Sequence, residues 1–259
     1  MILLFTSNNV ASAGIAKKLV AGHGFAPVGE NEWRCGETRL IDTKAPSVLE
    51  VPCDLDTDCL IVLSTHKSKT AGKMLTAHVP GNWAKAEMGG EPNTLNIAPA
   101  SVLKNLVIAL KKEADAIGWP LSMEADHHGP TGNTPIIFVE IGSTENEWGN
   151  EEAAEAVARA VVSAIESKKR YETVLGVGGG HYAKRFLELE LEKENGIALG
   201  HMAPKYVLDG LDEKMFRQAV EKNVERISKV IILKDETSRP QKDKIGKFAQ
   251  TMGIKCEIV

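Results

Sequence analysis

Apolar residues along this chain recur in two alternating rhythms. Short apolar runs at residues 2–5, 38–41, 59–63, 136–141, 173–177, 197–199, 230–233 and 254–259 read as strands. Between them, apolar positions three and four apart mark helices. Ser12 caps one that places Ile15, Ala16, Leu19 and Val20 on a single face and stops at Gly22 and Gly24. Leu103, Leu106, Val107, Leu110, Ala114 and Ile117 form a second stripe, ended by Trp119-Pro120. Ala153, Val157, Ala160, Val161, Ala164 and Ile165 form a third, acidic at its start and basic at its end, as the helix dipole favours. Residues 183–194, 211–228 and 244–252 read as further helices.

This alternation predicts an α/β fold with a mixed, largely parallel sheet flanked by helices. Cys59-Leu60-Ile61-Val62-Leu63 is apolar without a break, which suits a central strand covered on both faces. A length of 259 residues suits one α/β hydrolase-type domain spanning 1–259, with a small subdomain around 64–100. Within that stretch, residues 78–99 are rich in Gly, Pro and Asn and read as a surface loop. Sheets of this class bind ligands beyond the carboxyl ends of their strands. His66, Glu140, the glycines from Gly178 and the pair Gly200-His201 all lie at or near such expected ends.

Composition narrows the partners. With 43% hydrophobic and 25% charged residues the chain is an ordinary globular protein, and a net charge of −4 argues against a basic surface that coats nucleic acid. A local patch of Lys and Arg still suffices to hold a few phosphates. The four cysteines, Cys35, Cys53, Cys59 and Cys256, form neither a disulfide framework nor the usual structural zinc spacing. The first residues lack the basic segment and cleavage site of a signal peptide, and no run is long enough to cross a bilayer. A cytoplasmic protein without a membrane segment is the expectation.

Asp126-His127-His128-Gly129-Pro130-Thr131-Gly132 is the densest chemical cluster. Neutral imidazole is a common metal ligand. A strand would point adjacent histidines apart, but a Gly-Pro loop lets both serve one site. Asp126 is then placed to orient a ligating histidine. The same residues also fit a solvated loop. Gly178-Gly179-Gly180-His181-Tyr182 follows a strand and precedes a helix, so it fits an anion cradle with His181 at its mouth or a tight turn needing positive φ. It is not a dinucleotide fingerprint, because His181 replaces the third glycine. Lys205 suits an oxyanion or phosphate, or is simply exposed. Glu140 suits a metal ligand or general base. There is no H-E-x-x-H, Walker A or G-x-S-x-G motif.

Taken in order, these stretches resemble a known family. His127-His128-Gly129-Pro130-Thr131, followed by Phe138-Val139-Glu140-Ile141-Gly142-Ser143-Thr144-Glu145 and Glu147-Trp148, resembles the signature of the archaeal and plant-type D-aminoacyl-tRNA deacylases. Gly178-Gly179-Gly180-His181-Tyr182-Ala183 and Gly200-His201 through Pro204-Lys205-Tyr206 resemble the later signature of that family. Ser64-Thr65-His66-Lys67-Ser68, with Leu75-Thr76-Ala77-His78 and Gly81-Asn82, is similar to an earlier one.

The resemblance implies a core fold similar to peptidyl-tRNA hydrolases and phosphorylase-like proteins. It implies hydrolysis of the ester between a D-amino acid and the terminal ribose of tRNA, giving free tRNA and a D-amino acid. It also implies Zn2+, held among His66, His127, His128, His181 and His201. His128, His181, Glu140 and Lys205 are the expected catalytic residues. Gly178, Gly179, Gly180, Thr131, Tyr182, Lys67, Lys184 and Arg185 are expected to bind the aminoacyl-tRNA. The partner is thus the acceptor end of tRNA, and a monomer is expected. A metal-free form, with one histidine as general base, stays open. So do two rivals: a metal-dependent amidohydrolase or aminopeptidase-like enzyme, and a non-catalytic module that binds a tRNA end or a nucleotide.

Overall fold

A computed structural model of the chain describes residues 1–192 and 196–259. The chain opens with β1 (Ile2–Phe5), α1 (Val10–Gly22), a hairpin of β2 (Ala26–Gly29) and β3 (Glu32–Cys35), and β4 (Thr38–Asp42). β5 (Leu60–Thr65), β6 (Met74–His78) and the short β7 (Gly81–Asn82) and β8 (Thr94–Leu95) follow. Next come α2 (Ala100–Ala116), β9 (Leu121–Met123), β10 (Ile136–Gly142), α3 (Glu145–Trp148) and α4 (Glu151–Glu166). The last third holds β11 (Glu172–Val177), α5 (Lys184–Leu191), β12 (Ile197–Ala203), α6 (Glu213–Glu221), β13 (Ile227–Ile232), α7 (Arg239–Thr251) and β14 (Lys255–Ile258).

The strands divide between two main sheets. The larger has the order β2-β3-β4-β1-β5-β10-β6-β9, with β4, β1, β5 and β10 parallel and β6 antiparallel to β10. The smaller, β12-β11-β13-β14, is parallel throughout. The mixed, largely parallel architecture expected from the alternation is therefore present, but over two sheets. Alternation along each strand assigns the two faces of the large sheet. Ile61, Leu63, Ile137, Val139 and Ile141 pack in one core with residues of α1, α2 and α4. Leu60, Val62, Ile136 and Phe138 point the other way, into a smaller core with Val48 and Val51. Continuing that second face toward the strand ends gives Ser64 and Glu140, which are polar and buried.

Several boundaries differ from the sequence reading. Asn9, not Ser12, caps α1, and its side chain accepts from Ser12 N. The Ser12 hydroxyl instead donates to Leu63 O at 2.6 Å, tying the helix to β5. The helix expected at 211–228 ends at Glu221, where the Asn223 amide caps Ala219 O and Val220 O. The helix expected at 183–194 ends at Leu191, and residues 193 and 194 lie outside the described residues. The stretch 64–100 is not a separate unit, since β5 and β6 belong to the large sheet. Nor is 78–99 a surface loop throughout, because Val79, Asn82, Trp83, Leu95 and Asn96 are buried. Its polar residues satisfy backbone: Asn96 Nδ2 donates to Pro80 O and Pro130 O, which lets a Gly-, Pro- and Asn-rich segment enter the interior. Among the described residues, no helix is long and apolar enough to cross a membrane.

Candidate metal-binding active site

Register builds the floor of the site. Glu140 in β10 stands opposite Ser64 in β5 on one side and Thr76 in β6 on the other. Cross-strand partners share a face, so both hydroxyls reach the carboxylate: Ser64 Oγ donates to Oε1 at 2.9 Å and Thr76 Oγ1 to Oε2 at 3.0 Å. Two residues along the same face are His66, beyond the end of β5, and His78, at the end of β6. His78 pairs with Phe138 and stacks on its ring at 5.5 Å.

A second carboxylate, Glu124, enters just after β9. Its N–H donates to Ala77 O, and it forms an antiparallel bridge to Tyr182. That bridge draws the glycine-loop residues His181 and Tyr182 over the large sheet. His66 Nδ1 lies 3.1 Å from Glu124 Oε1, and His181 Nε2 lies 2.9 Å from Glu124 Oε2. His127 Nε2 is 3.5 Å from the same Oε2. The Tyr182 hydroxyl meets His66 Nε2 at 3.0 Å. His127 and His128 both turn inward, with ring centroids 4.4 Å apart. This requires His128 at φ 48, a left-handed conformation that costs an L-residue roughly 1 kcal/mol.

Three overlapping groups result: His78-His127-His128, Glu124-His127-His181 and His66-Glu124-Glu140. In each, the ligand atoms lie within 4.8 Å of one another. The residues fit a divalent cation in three respects. First, His78, His127 and His128 each direct Nδ1 at a backbone carbonyl, of Val79, Ala125 and Gly129 respectively. A carbonyl can only accept, so Nδ1 carries the proton and Nε2 keeps a lone pair able to bind metal. Second, His78 Nε2 and both Glu124 oxygens are buried without a hydrogen-bond partner. Glu124 is close to His66 and His181 in distance, but not aligned for hydrogen bonding. Third, mixed imidazole and carboxylate donors are the chemistry of catalytic zinc.

Electrostatics sort the candidate ligands. Burial, reinforced by the other imidazoles, holds His127 well below the usual histidine range and pushes His128 down to about 4, so both are neutral near pH 7. His66 behaves oppositely. Burial opposes its charge, but Glu124 and Glu140 raise it to about 11. Glu140 likewise lifts His78 despite complete burial. Burial would raise the two carboxyls, but the surrounding histidines hold both below the usual carboxylate range.

The other expected site residues fall elsewhere. His201 lies inside β12, and both its ring nitrogens are engaged, Nδ1 by Asp126 Oδ2 and Nε2 by Lys222 O, each at 2.8 Å. It is therefore not available as a ligand. Asp126 thus holds His201 rather than a ligating histidine. The Lys205 ammonium pairs with Glu236 at 2.9 Å, away from the carboxylates of the cluster. Thr131 uses its hydroxyl to accept from Glu91 N at 2.8 Å, fastening the loop. In the glycine run, Gly178 and Gly179 have φ 114 and 78, and Gly178 N–H already donates to Ala203 O. The turn thus needs glycine for conformation, and its first amide is not free for an anion. Gly180 borders open space. Lys67, Lys184 and Arg185 are exposed close in sequence to His66 and Tyr182, with Arg185 paired to Glu188.

Two cavities adjoin the cluster. One of about 500 Å³ has Asp126, His127 and His128 on its wall, and another of about 470 Å³ opens past Tyr182. A larger cavity of about 750 Å³ lies by Cys59, Pro135 and Arg170, at the amino ends of the strands, and touches none of the histidines.

With this arrangement in place, similarity to known proteins is informative. The family model described as D-aminoacyl-tRNA deacylase matches residues 53–257. The chain belongs to that family. A D-aminoacyl-tRNA deacylase of Ignicoccus hospitalis is 37% identical over 78% of this chain and 81% of the relative. One from Methanosarcina acetivorans is 35% identical over 85% of this chain and 80% of the relative. The crystal structure of a conserved protein designated AF0625 superposes with a TM-score of 0.90 at 30% identity, covering 99% of this chain and 94% of that one. The family model spans every residue of the three candidate metal-ligand groups.

Sequence reasoning missed Glu124 and left His78 out of the ligand set. The available signal for Glu124 was a single acid following the apolar and polar alternation of Leu121-Ser122-Met123. For His78 it was the period-two continuation from Thr76. Close packing of the site yields a test. A Cβ on Gly142 would sit 2.7 Å from His66 Cβ and 2.8 Å from its Cδ2. Gly142→Ala should displace the imidazole and lower kcat/KM by about 10- to 100-fold, measured by steady-state kinetics. Unchanged kinetics would remove His66 from the working site.

Proposed function

We infer that this protein hydrolyses the ester of D-aminoacyl-tRNA, and that four of its five clustered histidines and two carboxylates hold Zn2+ for that reaction. The observation that carries the reading is the convergence of His66, His78, His127, His128, His181, Glu124 and Glu140, from separate stretches of a chain of this family. His78, His127 and His128 make one ligand set. Glu124 joins it to a second with His66 and Glu140, so the cluster has donors for two ions. Bound zinc would bring a water toward neutral pKa and polarise the acyl carbonyl.

The chain's own groups supply the remaining chemistry. Glu124 accepts the proton of the attacking water. His181, half-exposed and 2.9 Å from Glu124 Oε2, passes a proton to the departing ribose oxygen as the acyl C–O bond breaks. Ser64 and Thr76 hold Glu140 in one orientation. Lys67, Lys184 and Arg185 meet phosphates of the acceptor end, as a local basic patch on an acidic protein can. The cytoplasm, where aminoacyl-tRNA is used, is the compartment this substrate requires.

The test is incubation with tRNA charged with D- or L-phenylalanine, and with free peptides. Release of D-phenylalanine well ahead of L is the expected result. Peptide cleavage without release from D-aminoacyl-tRNA would favour an amidohydrolase, and binding without turnover a non-catalytic module.

A further inference from the structure

Resting on the deacylase reading, we propose that the cavity beside His127 and His128 seats the 3′-terminal adenosine of the tRNA. In this assignment Asn93 reads the base edge, Tyr206 covers its face, and Lys85 meets the phosphate joining it to the preceding nucleotide.

The cavity measures about 500 Å³, within the range that holds a nucleotide-sized ligand. Because His127 and His128 form one wall, a nucleoside seated here has its ribose hydroxyls, one of which carries the ester, next to the ligand cluster. Two aromatic residues also line the cavity. Trp83 is only 7% exposed and stands edge-on to His201, so it makes a fixed aromatic wall. Tyr206, by contrast, is 61% exposed, and its hydroxyl has no hydrogen-bond partner among the described residues. An exposed aromatic ring lining a cavity is a platform on which a base can stack.

Asn93 supplies the polar edge. It sits at φ 50, in the left-handed region that Asn tolerates better than most residues. Its backbone is held at both ends: its N–H donates to Ala84 O at 2.7 Å, and its carbonyl accepts from Gln218 Nε2 at 3.0 Å. Its side-chain amide has no partner among the described residues. A fixed backbone presenting a free amide, with one acceptor and one donor group, matches the N6 donor and N7 acceptor of adenine. Lys85 is exposed on the same rim, beside Glu87, and forms no ion pair among the described residues. The cavity past Tyr182 offers no comparable amide: Met74, Leu121, Leu187 and Leu191 line it, with Lys111 and Lys184. That lining suits an apolar side chain better than a base.

The experiment uses the metal-loaded protein. In steady-state deacylation, 5′-AMP should compete with D-aminoacyl-tRNA at least tenfold better than 5′-CMP. Asn93→Gly keeps the left-handed backbone and removes only the amide. It should raise KM by about 10- to 100-fold and erase any preference for tRNA ending in A over tRNA ending in C. Tyr206→Leu should raise KM and weaken AMP without changing that preference. Equal competition by AMP and CMP, or an unaltered KM in both variants, would overturn the assignment. AMP binding is also read directly by tryptophan fluorescence. A wild-type protein that binds AMP but releases no D-amino acid would therefore fail the deacylase reading while keeping the nucleoside site.

Discussion

Removing bound metal should abolish release of D-amino acid, and returning Zn2+ should restore it. The expected loss is about 10³-fold or more, because in the proposed mechanism the ion supplies the nucleophilic water. Metal uptake should also release protons. His66, raised to about 11 by Glu124 and Glu140, is protonated at pH 7 and must lose that proton to bind metal. His127 and His128 are already neutral and contribute none. Affinity should therefore fall as the pH is lowered. Calorimetric titration of metal-free protein with Zn2+ in two buffers of different ionisation enthalpy counts the protons. Full activity in protein that elemental analysis shows to be metal-free would sink the zinc mechanism and return the reaction to a histidine base.

Glu124→Gln should be the most damaging conservative substitution in the site. The carboxylate is fully buried, yet neither oxygen has a hydrogen-bond partner, and three histidines approach it within 3.5 Å. Glutamine keeps the volume but not the charge, and its NH2 group offers metal a donor instead of an acceptor. Turnover should fall about 10³-fold, the size associated with loss of a positioned acid-base group. Zinc content should fall with it. The expected measurements are deacylation under single-turnover conditions and metal per chain by emission spectroscopy. A variant that retains zinc and normal turnover would show that Glu124 neither binds the ion nor moves a proton.

Most of the scaffold was legible from the spacing of apolar residues. The unbroken run at 59–63 marked a central strand, and β5 is indeed flanked by β1 and β10. The helices at α2 and α4 followed from their apolar stripes. Less regular pieces were not legible. β2 and β3 are exposed or half-exposed and carry no strong alternation, while β6 and β9 are only five and three residues long. The end of the helix expected at 211–228 depended on the Asn223 amide finding two carbonyls, which no periodicity records.

The site divides in the same way. Sequence by itself determined the family and most of the histidine set, because ordered local motifs such as His127-His128-Gly129-Pro130-Thr131 survive as text. It also placed Glu140 on a strand. Only the tertiary structure decided which groups share one volume. In sequence, His201 follows an expected strand and His78 does not, so His201 reads as the better ligand. Yet His201 is taken up by Asp126 and Lys222 O, whereas His78 keeps a bare Nε2 facing Glu140. Glu124 became central through the bridge to Tyr182, fifty-eight positions away in the chain. Ligand sets depend on register between distant strands and on which acceptor each ring nitrogen meets. Those are properties of packing, and hydrophobic spacing carries no information about them.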